Sequence, residues 1–418
     1  MKKKILVVIV IVFAITGIIF INQNKEEKTN ENISIILSNS NGNTTTDKFP
    51  DKDSYTFEKI ECDNELGEVT PTFNEETWKL DISITGEKIE SNFKCQIYFK
   101  EKEPTAAETI IAKYSEDNTE GLIKVDQPAT DQMKATTEYR YSGSDVNNYV
   151  NFNNETWRII GVFDVDDGTG NYEQRIKIIR EESIGSYSWD SSASGTNDGL
   201  GINQWGESED SSGNAYSGAD LKTLLNTTYY NKAISGTCYN GSKNASISCD
   251  FSNIGLSETA RSMIDDAKWY TAGVNFGTTT STAYTEERSN ALPPTGAESL
   301  YNDTIKRTKN WTGKLALPYP SDYGYASSSC YNTDESLLYY DFCVESSWLY
   351  TGSYYWFLSP NVFGSYSAFL VDEDDFGVVG QAGAFAAYGV RPVVYLSPEV
   401  RITGGTGENA ENAYQLSL

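Results

Sequence analysis

The chain of 418 residues contains no histidine, which removes imidazole acid–base chemistry, Ser-His-Asp and Cys-His catalysis and the HExxH zinc site in one step. Chemistry is left to cysteines, carboxylates and their aromatic or cationic neighbours. The six cysteines fall into three neighbouring pairs, Cys62 with Cys95, Cys238 with Cys249 and Cys330 with Cys343. No CxxC spacing is present, so disulfides are expected rather than zinc. Other connectivities are open, but neighbour pairing keeps each bond inside one candidate domain or loop. Two acidic stretches invite a ligand. Asp372-Glu373-Asp374-Asp375 lies between two strand-like runs and could hold calcium with backbone carbonyls and water, or be a solvated acidic loop. Asp164, Asp166 and Asp167 with Gly168 resemble a calcium loop, but the spacing misses the twelve-residue pattern. In Ser321-Asp322-Tyr323-Gly324-Tyr325 the tyrosines could stack on a sugar face while the carboxylate accepts from hydroxyls; otherwise Asp322 caps its own loop. Asp322, Tyr323, Tyr325, Asp372, Asp374 and Asp375 form the expected ligand-binding set, and no catalytic residue is assigned. Ser91-Asn92-Phe93-Lys94 matches Ser-x-x-Lys by chance, since neither SDN nor KTG occurs.

The elements that must position these groups follow from composition. Tyr, Phe and Trp are abundant and Met is scarce, with Gly, Ser, Thr and Asn between them, which favours a β-rich chain with long loops. A net charge of -26 excludes nucleic acid as a partner and limits membrane contact to the N-terminal helix. Three lysines precede an apolar run from Ile5 to Ile21, read as an uncleaved anchor with its N-terminus cytoplasmic and the rest of the chain outside; a cleaved signal peptide is the rival. The segments expected are an anchor over residues 1–24, a flexible stalk over 25–53, a small β domain over 54–102, a connector with a short helix over 103–137 and an α+β domain over 138–418.

Within the last domain, 149–152 and 156–163 flank Asn153-Asn154 as a hairpin, and 175–180 reads as a further strand. Leu221, Leu224, Leu225 and Tyr229 repeat at helical spacing, as do Ala260, Met263, Ile264 and Ala267. Pro104, Thr105 and Glu108 mark a capped helix start leading to Ile110. Strands are expected over 354–358, 368–371 and 390–396. The last is apolar except for Arg391, a guanidinium that must find a carboxylate or carbonyls. Pro392 means that this strand begins there or lies at an edge. Trp157, Trp356 and Arg391 are expected to be structural.

The succession ETWRIIGVF, NQW, LKTLLNTTYY, WTGKLALPYPSDYGYA, WFLSP, GVRPVVYLS and GGTGENAENAYQL resembles a family of exported proteins from gut Firmicutes and their relatives, a domain of unknown function, over residues 139–418. The Trp-x-Leu-Ser-Pro and Gly-Val-Arg-Pro motifs are also similar to the C-terminal core of C-type-lectin-like and formylglycine-generating-enzyme-like folds. WFLS stands where WxLR is common, and Ala413 stands where proline is usual. The resemblance implies a C-type-lectin-like module behind a small all-β domain and an N-terminal transmembrane helix, α+β and β-rich overall. The expected function is a membrane-tethered extracellular binding or adhesion module for a cell-surface or host glycan or protein. The alternatives are a carboxylate-dependent, glycosidase-like hydrolase and a purely structural envelope protein. No cofactor is expected beyond possible calcium at Asp372, Asp374 and Asp375.

Overall fold

The computed structural model describes residues 5–12, 17–19, 30–37, 44–46, 49–52, 54–62, 69–84, 93–115, 120–191, 203–210, 213, 215–241, 246–275, 277–290, 305–337, 342–362, 366–372 and 378–418. The chain divides into two units, Met1–Glu103 and Pro104–Leu418, and its architecture is β-rich α+β.

In the first unit Tyr55–Cys62 pairs antiparallel with Phe93–Glu101, and Cys62 lies opposite Cys95, to which it is bonded. A second small sheet holds Thr44–Thr46, Lys79–Ile84 and Val69–Asn74. Phe73 is the aromatic centre, with ring centroids 4.8 Å from Phe57, 5.1 Å from Phe49 and Trp78, and 5.4 Å from Phe99. The stretch expected to be a flexible stalk is different: Asn30–Leu37 is a strand between Ile5–Val12 and Phe93–Glu101. Its NISIIL core is strongly β-forming, a signal that the polar average of 25–53 concealed. Ile5–Val12 and Gly17–Ile19 are strands, and among the described residues no helix is long and apolar enough to cross a membrane. Alternating Ile and Val suit a strand as well as a span.

The second unit is built on one large sheet in the order Leu315–Ala316, Val393–Tyr395, Tyr172–Arg180, Glu155–Asp166, Tyr149–Phe152, Tyr414–Ser417, Arg401–Gly404. The expected hairpin is present. Asn153 and Asn154 both adopt left-handed backbone, φ 60° and 59°, as a two-residue primed turn demands. Past that turn Thr136–Tyr141 takes over as neighbour of Glu155–Asp166 and pairs on its other side with Leu122–Gln127. Val393–Tyr395 starts directly after Pro392, so the missing donor costs no ladder bond, and the Pro392 carbonyl accepts from Arg180 N at 3.0 Å.

A second sheet runs Ser186–Ser188, Ala387–Gly389, Tyr355–Pro360, Ser367–Asp372, Val378–Gly383. Arg391 lies buried beside it. Its Nε donates to Arg180 O at 3.0 Å, Nη1 to Leu349 O at 2.9 Å and Nη2 to Glu181 at 3.4 Å. Trp157 is fully buried against Phe152, and Trp356 is buried with Nε1 donating to Tyr187 O at 2.9 Å. The other two cysteine pairs are bonded as well, Cys238–Cys249 closing the hairpin Gly236–Tyr239 with Ser246–Cys249, and Cys330–Cys343 closing a loop.

Three expectations need correction. The connector is part of the second unit: the capping box of Thr105 and Glu108 starts helix Ala106–Ile111, which buries Ala106, Ala107 and Ile110, and Leu122–Gln127 joins the sheet. The second helical pattern stops early, because Glu258–Ser262 is a helix whereas Ala267–Tyr270 pairs with Asn310–Gly313 as a strand. The Ser321–Tyr325 stretch, where Asp322 was weighed as capping a loop, belongs to helix Pro320–Tyr325, with proline at its first turn and every residue buried. Helix Thr280–Glu287, capped by Thr279, had no clear apolar period to announce it.

Candidate functional site

The surface platform expected at Asp322, Tyr323 and Tyr325 is not there. All three are buried, with exposures of 1%, 0% and 3%. Asp372 is half-buried at the end of Ser367–Asp372, while Asp374 and Asp375 lie outside the described residues. No group of His, Cys, Asp or Glu able to hold a metal ion occurs among the described residues. Asp166 is committed to its own turn and to Lys268, accepting from Gly168 N at 2.9 Å, Gly170 N at 3.0 Å and Lys268 Nζ at 3.1 Å. Asp167 accepts from Thr169 N and Oγ1 at 2.7 Å.

What the fold does assemble is a buried charge cluster that the sheet register dictates. Arg140 pairs with Gly161, Gly161 with Lys177 and Lys177 with Tyr395, so the four residues form one row across four strands. Glycine leaves a gap between the two cations. A β-carbon at Gly161 would lie 2.3 Å from Tyr139 O, so close backbone approach also requires it. Asp322 bonds both cations: Arg140 Nη1 donates to Oδ1 at 3.0 Å and Lys177 Nζ to Oδ2 at 2.5 Å. Asp322 does cap its own segment as well, accepting from Tyr319 N at 2.9 Å.

Glu138, two residues before Arg140 on the same face, takes Arg140 Nε at 2.8 Å, Tyr284 OH at 3.0 Å and Gln127 Nε2 at 3.1 Å. Glu287 takes Arg288 Nη1 at 2.7 Å, and Ser321 through its backbone N at 2.9 Å and its hydroxyl at 2.5 Å. The cluster thus balances Glu138, Glu287 and Asp322 against Arg140, Lys177 and Arg288. Aromatic rings wall it in. Lys177 Nζ stands 4.4 Å from the Tyr319 centroid and within 5.6 Å of Phe163, Trp269 and Tyr395, and Arg288 lies 3.6 Å over Tyr284.

Burial sets the electrostatics. It pulls the Lys177 ammonium down to about 8, the Asp322 charge offsetting only part of that. Burial also works to raise Asp322, but Lys177 and Arg140 together hold its carboxyl below the ordinary range. Burial pushes Glu287 up. The Nη2 of Arg140 and Nε of Arg288 have no protein partner, and a cavity of about 10 Å³ opens against Glu138, Phe163, Arg288 and Tyr395, room for about one water. This small cavity touches the cluster at Glu138 and Arg288, while Lys177 and Asp322 are fully buried.

Sequence reasoning missed Glu138, Arg140, Lys177, Glu287 and Arg288 as a set. Lys177 did carry a signal, because it interrupts the apolar strand IKII in the way that Arg391 interrupts its own. No family model, curated protein or solved structure matches the chain.

Proposed function

We propose that the chain is an exported binding protein of the cell surface, held to the membrane through its N-terminal apolar run, whose larger unit is a lectin-like scaffold that meets a macromolecular partner without catalysing a reaction. Three lysines before seventeen largely apolar residues, Ile5 to Ile21, support that attachment. Three disulfides and no free cysteine among the described residues suit an oxidising exterior.

One observation carries the choice of binding over hydrolysis. The titratable cluster is buried inside, whereas two of the exposed large hydrophobic side chains lie at the hairpin stapled by Cys238–Cys249, Ile247 at 38% within it and Ile234 at 77% just before its first strand. A rigid hairpin presenting apolar side chains loses little entropy when it docks. Asp372, Asp374 and Asp375 remain the proposed acidic contact, with or without calcium.

The test is a glycan and host-protein array probed with the full chain in detergent, with and without calcium, beside an Ile234→Asp/Ile247→Asp variant. The expected result is binding at about micromolar to millimolar affinity per site that the variant weakens at least tenfold. Reproducible turnover of a glycoside or peptide substrate would move the protein to the hydrolases.

A further inference from the structure

Three features of the Lys177–Asp322 contact go beyond an ion pair. The amine and the carboxylate are both fully buried, and Lys177 Nζ lies 2.5 Å from Asp322 Oδ2, one bond away from the Cγ that it would attack. The carboxyl is already gripped at both oxygens: Arg140 Nη1 on Oδ1 at 3.0 Å stands where charge would develop on a tetrahedral intermediate, and Tyr319 N–H on Oδ2 at 2.9 Å fixes the orientation of the group. The charge count permits the loss of one of each sign. With Lys177 and Asp322 neutralised, Glu138 still pairs with Arg140 at 2.8 Å and Glu287 with Arg288 at 2.7 Å.

We propose that Lys177 and Asp322 condense after folding to an intramolecular amide that ties the central strand Tyr172–Arg180 to helix Pro320–Tyr325. The ammonium passes one proton across the short contact to the carboxylate. Neutral Nζ then attacks Cγ, the Nζ–Cγ bond forms and the oxyanion rests on Arg140. The second amine proton leaves with the departing Oδ2, the Cγ–Oδ2 bond breaks, and one water is released. No oxidant, reductant or other co-reactant enters. Aromatic walls keep bulk water from reversing the step, and the adjoining cavity has room for about one water. Formation of the amide removes two buried charges whose desolvation the fold otherwise has to offset. Burial lowers the Lys177 ammonium to about 8, which narrows but does not close the gap that the proton crosses to reach Asp322, so the condensation is a slow step after folding.

The experiment is peptide mapping of the full chain, reduced, denatured and digested with trypsin, which does not cut after an acylated lysine. The amide predicts a branched peptide joining residues 176–180 to the segment that contains Asp322, and near-complete loss of the cut after Lys177. In Asp322→Ala the cut returns whether or not the variant folds, because the digest is done on unfolded chain. Asp322→Asn gives the same branched peptide as the parent, with ammonia as the leaving group. Quantitative recovery of the linear peptide ending at Lys177 from the parent overturns the proposal, and a branched peptide that persists in Asp322→Ala overturns Asp322 as the acceptor. Neither outcome bears on ligand binding, so the two readings fail separately.

Discussion

Replacing Arg391 by methionine tests how the larger unit is held together. The sequence leaves open whether this guanidinium meets a carboxylate or backbone carbonyls. The geometry assigns the cost to the carbonyls. Glu181, the one acid that Arg391 meets among the described residues, is 25% exposed and keeps Arg158 at 3.3 Å, so its own penalty is small. The firmer bonds run from Nε and Nη1 to the carbonyls of Arg180 and Leu349 at 3.0 and 2.9 Å. Two charge-assisted bonds to buried carbonyls are worth about 1.5–3 kcal/mol each. Methionine keeps much of the stem packing. The net loss is therefore about 3–5 kcal/mol, which corresponds to a fall of about 5–8 °C in melting temperature for a unit of this size. Tryptophan fluorescence reports it cleanly, because every tryptophan except Trp78 lies in Pro104–Leu418. Glu181→Gln is the companion and costs under about 1 kcal/mol. If Arg391→Met melts within about 1 kcal/mol of the parent, or if Glu181→Gln costs as much as Arg391→Met, the carbonyl-bonding argument is refuted.

Glu286 gives the clearest pH signature: burial raises its carboxyl to about 7, against the bond from Asn275 N at 2.8 Å. A raised acid contributes stability that is complete below about pH 4.5 and lost as pH climbs toward 7, so the melting temperature of Glu286→Gln minus that of the parent grows across that window by the equivalent of about 1–3 kcal/mol; a flat difference excludes it. In the smaller unit, replacing Cys62 and Cys95 together by serine opens a loop spanning 33 residues and costs about 4 kcal/mol, enough to make that unit protease-sensitive while the tryptophan transition of the larger one stays in place. Protease added to intact cells removes the chain beyond the N-terminal run, and full protection of the whole protein contradicts the proposed topology.

Much of the fold is legible where local chemistry and final structure agree. Asn153-Asn154 between two apolar arms can be little but a primed turn, and Thr105 with Glu108 closes a capping box at the start of helix Ala106–Ile111. Cysteine pairing follows neighbourhood because each bond closes a hairpin, two facing strands or a short loop. Legibility fails where tertiary pairing outweighs local pattern. Ala267 continues a helical period in sequence, yet Trp269 lies opposite Trp311 across a strand pair, and burying Trp269 fully with Trp311 partly covered outweighs one more helical turn. Asn30–Leu37 was lost by averaging: its isoleucines sit within polar neighbours whose composition alone reads as unstructured.

The site shows a different failure. Tyr-Asp-Tyr neighbourhoods look alike whether they face a sugar or a core, and the deciding facts about Asp322 lie 182 residues away at Arg140 and 145 away at Lys177. No window on the sequence contains them. What can be read locally is the reciprocal anomaly, a charged residue inside an apolar strand. Arg391 was recognised on that ground, and the same logic applied to Lys177 calls for a carboxylate partner, because an unpaired buried ammonium is too costly to persist. Gly161 adds the place. A glycine inside a buried strand reserves room for something, and here the room lies between two cations in register, where one carboxylate can serve both. In a chain without histidine, buried lysine and arginine within apolar strands are thus the positions at which sequence alone points to a partner that only the fold can identify.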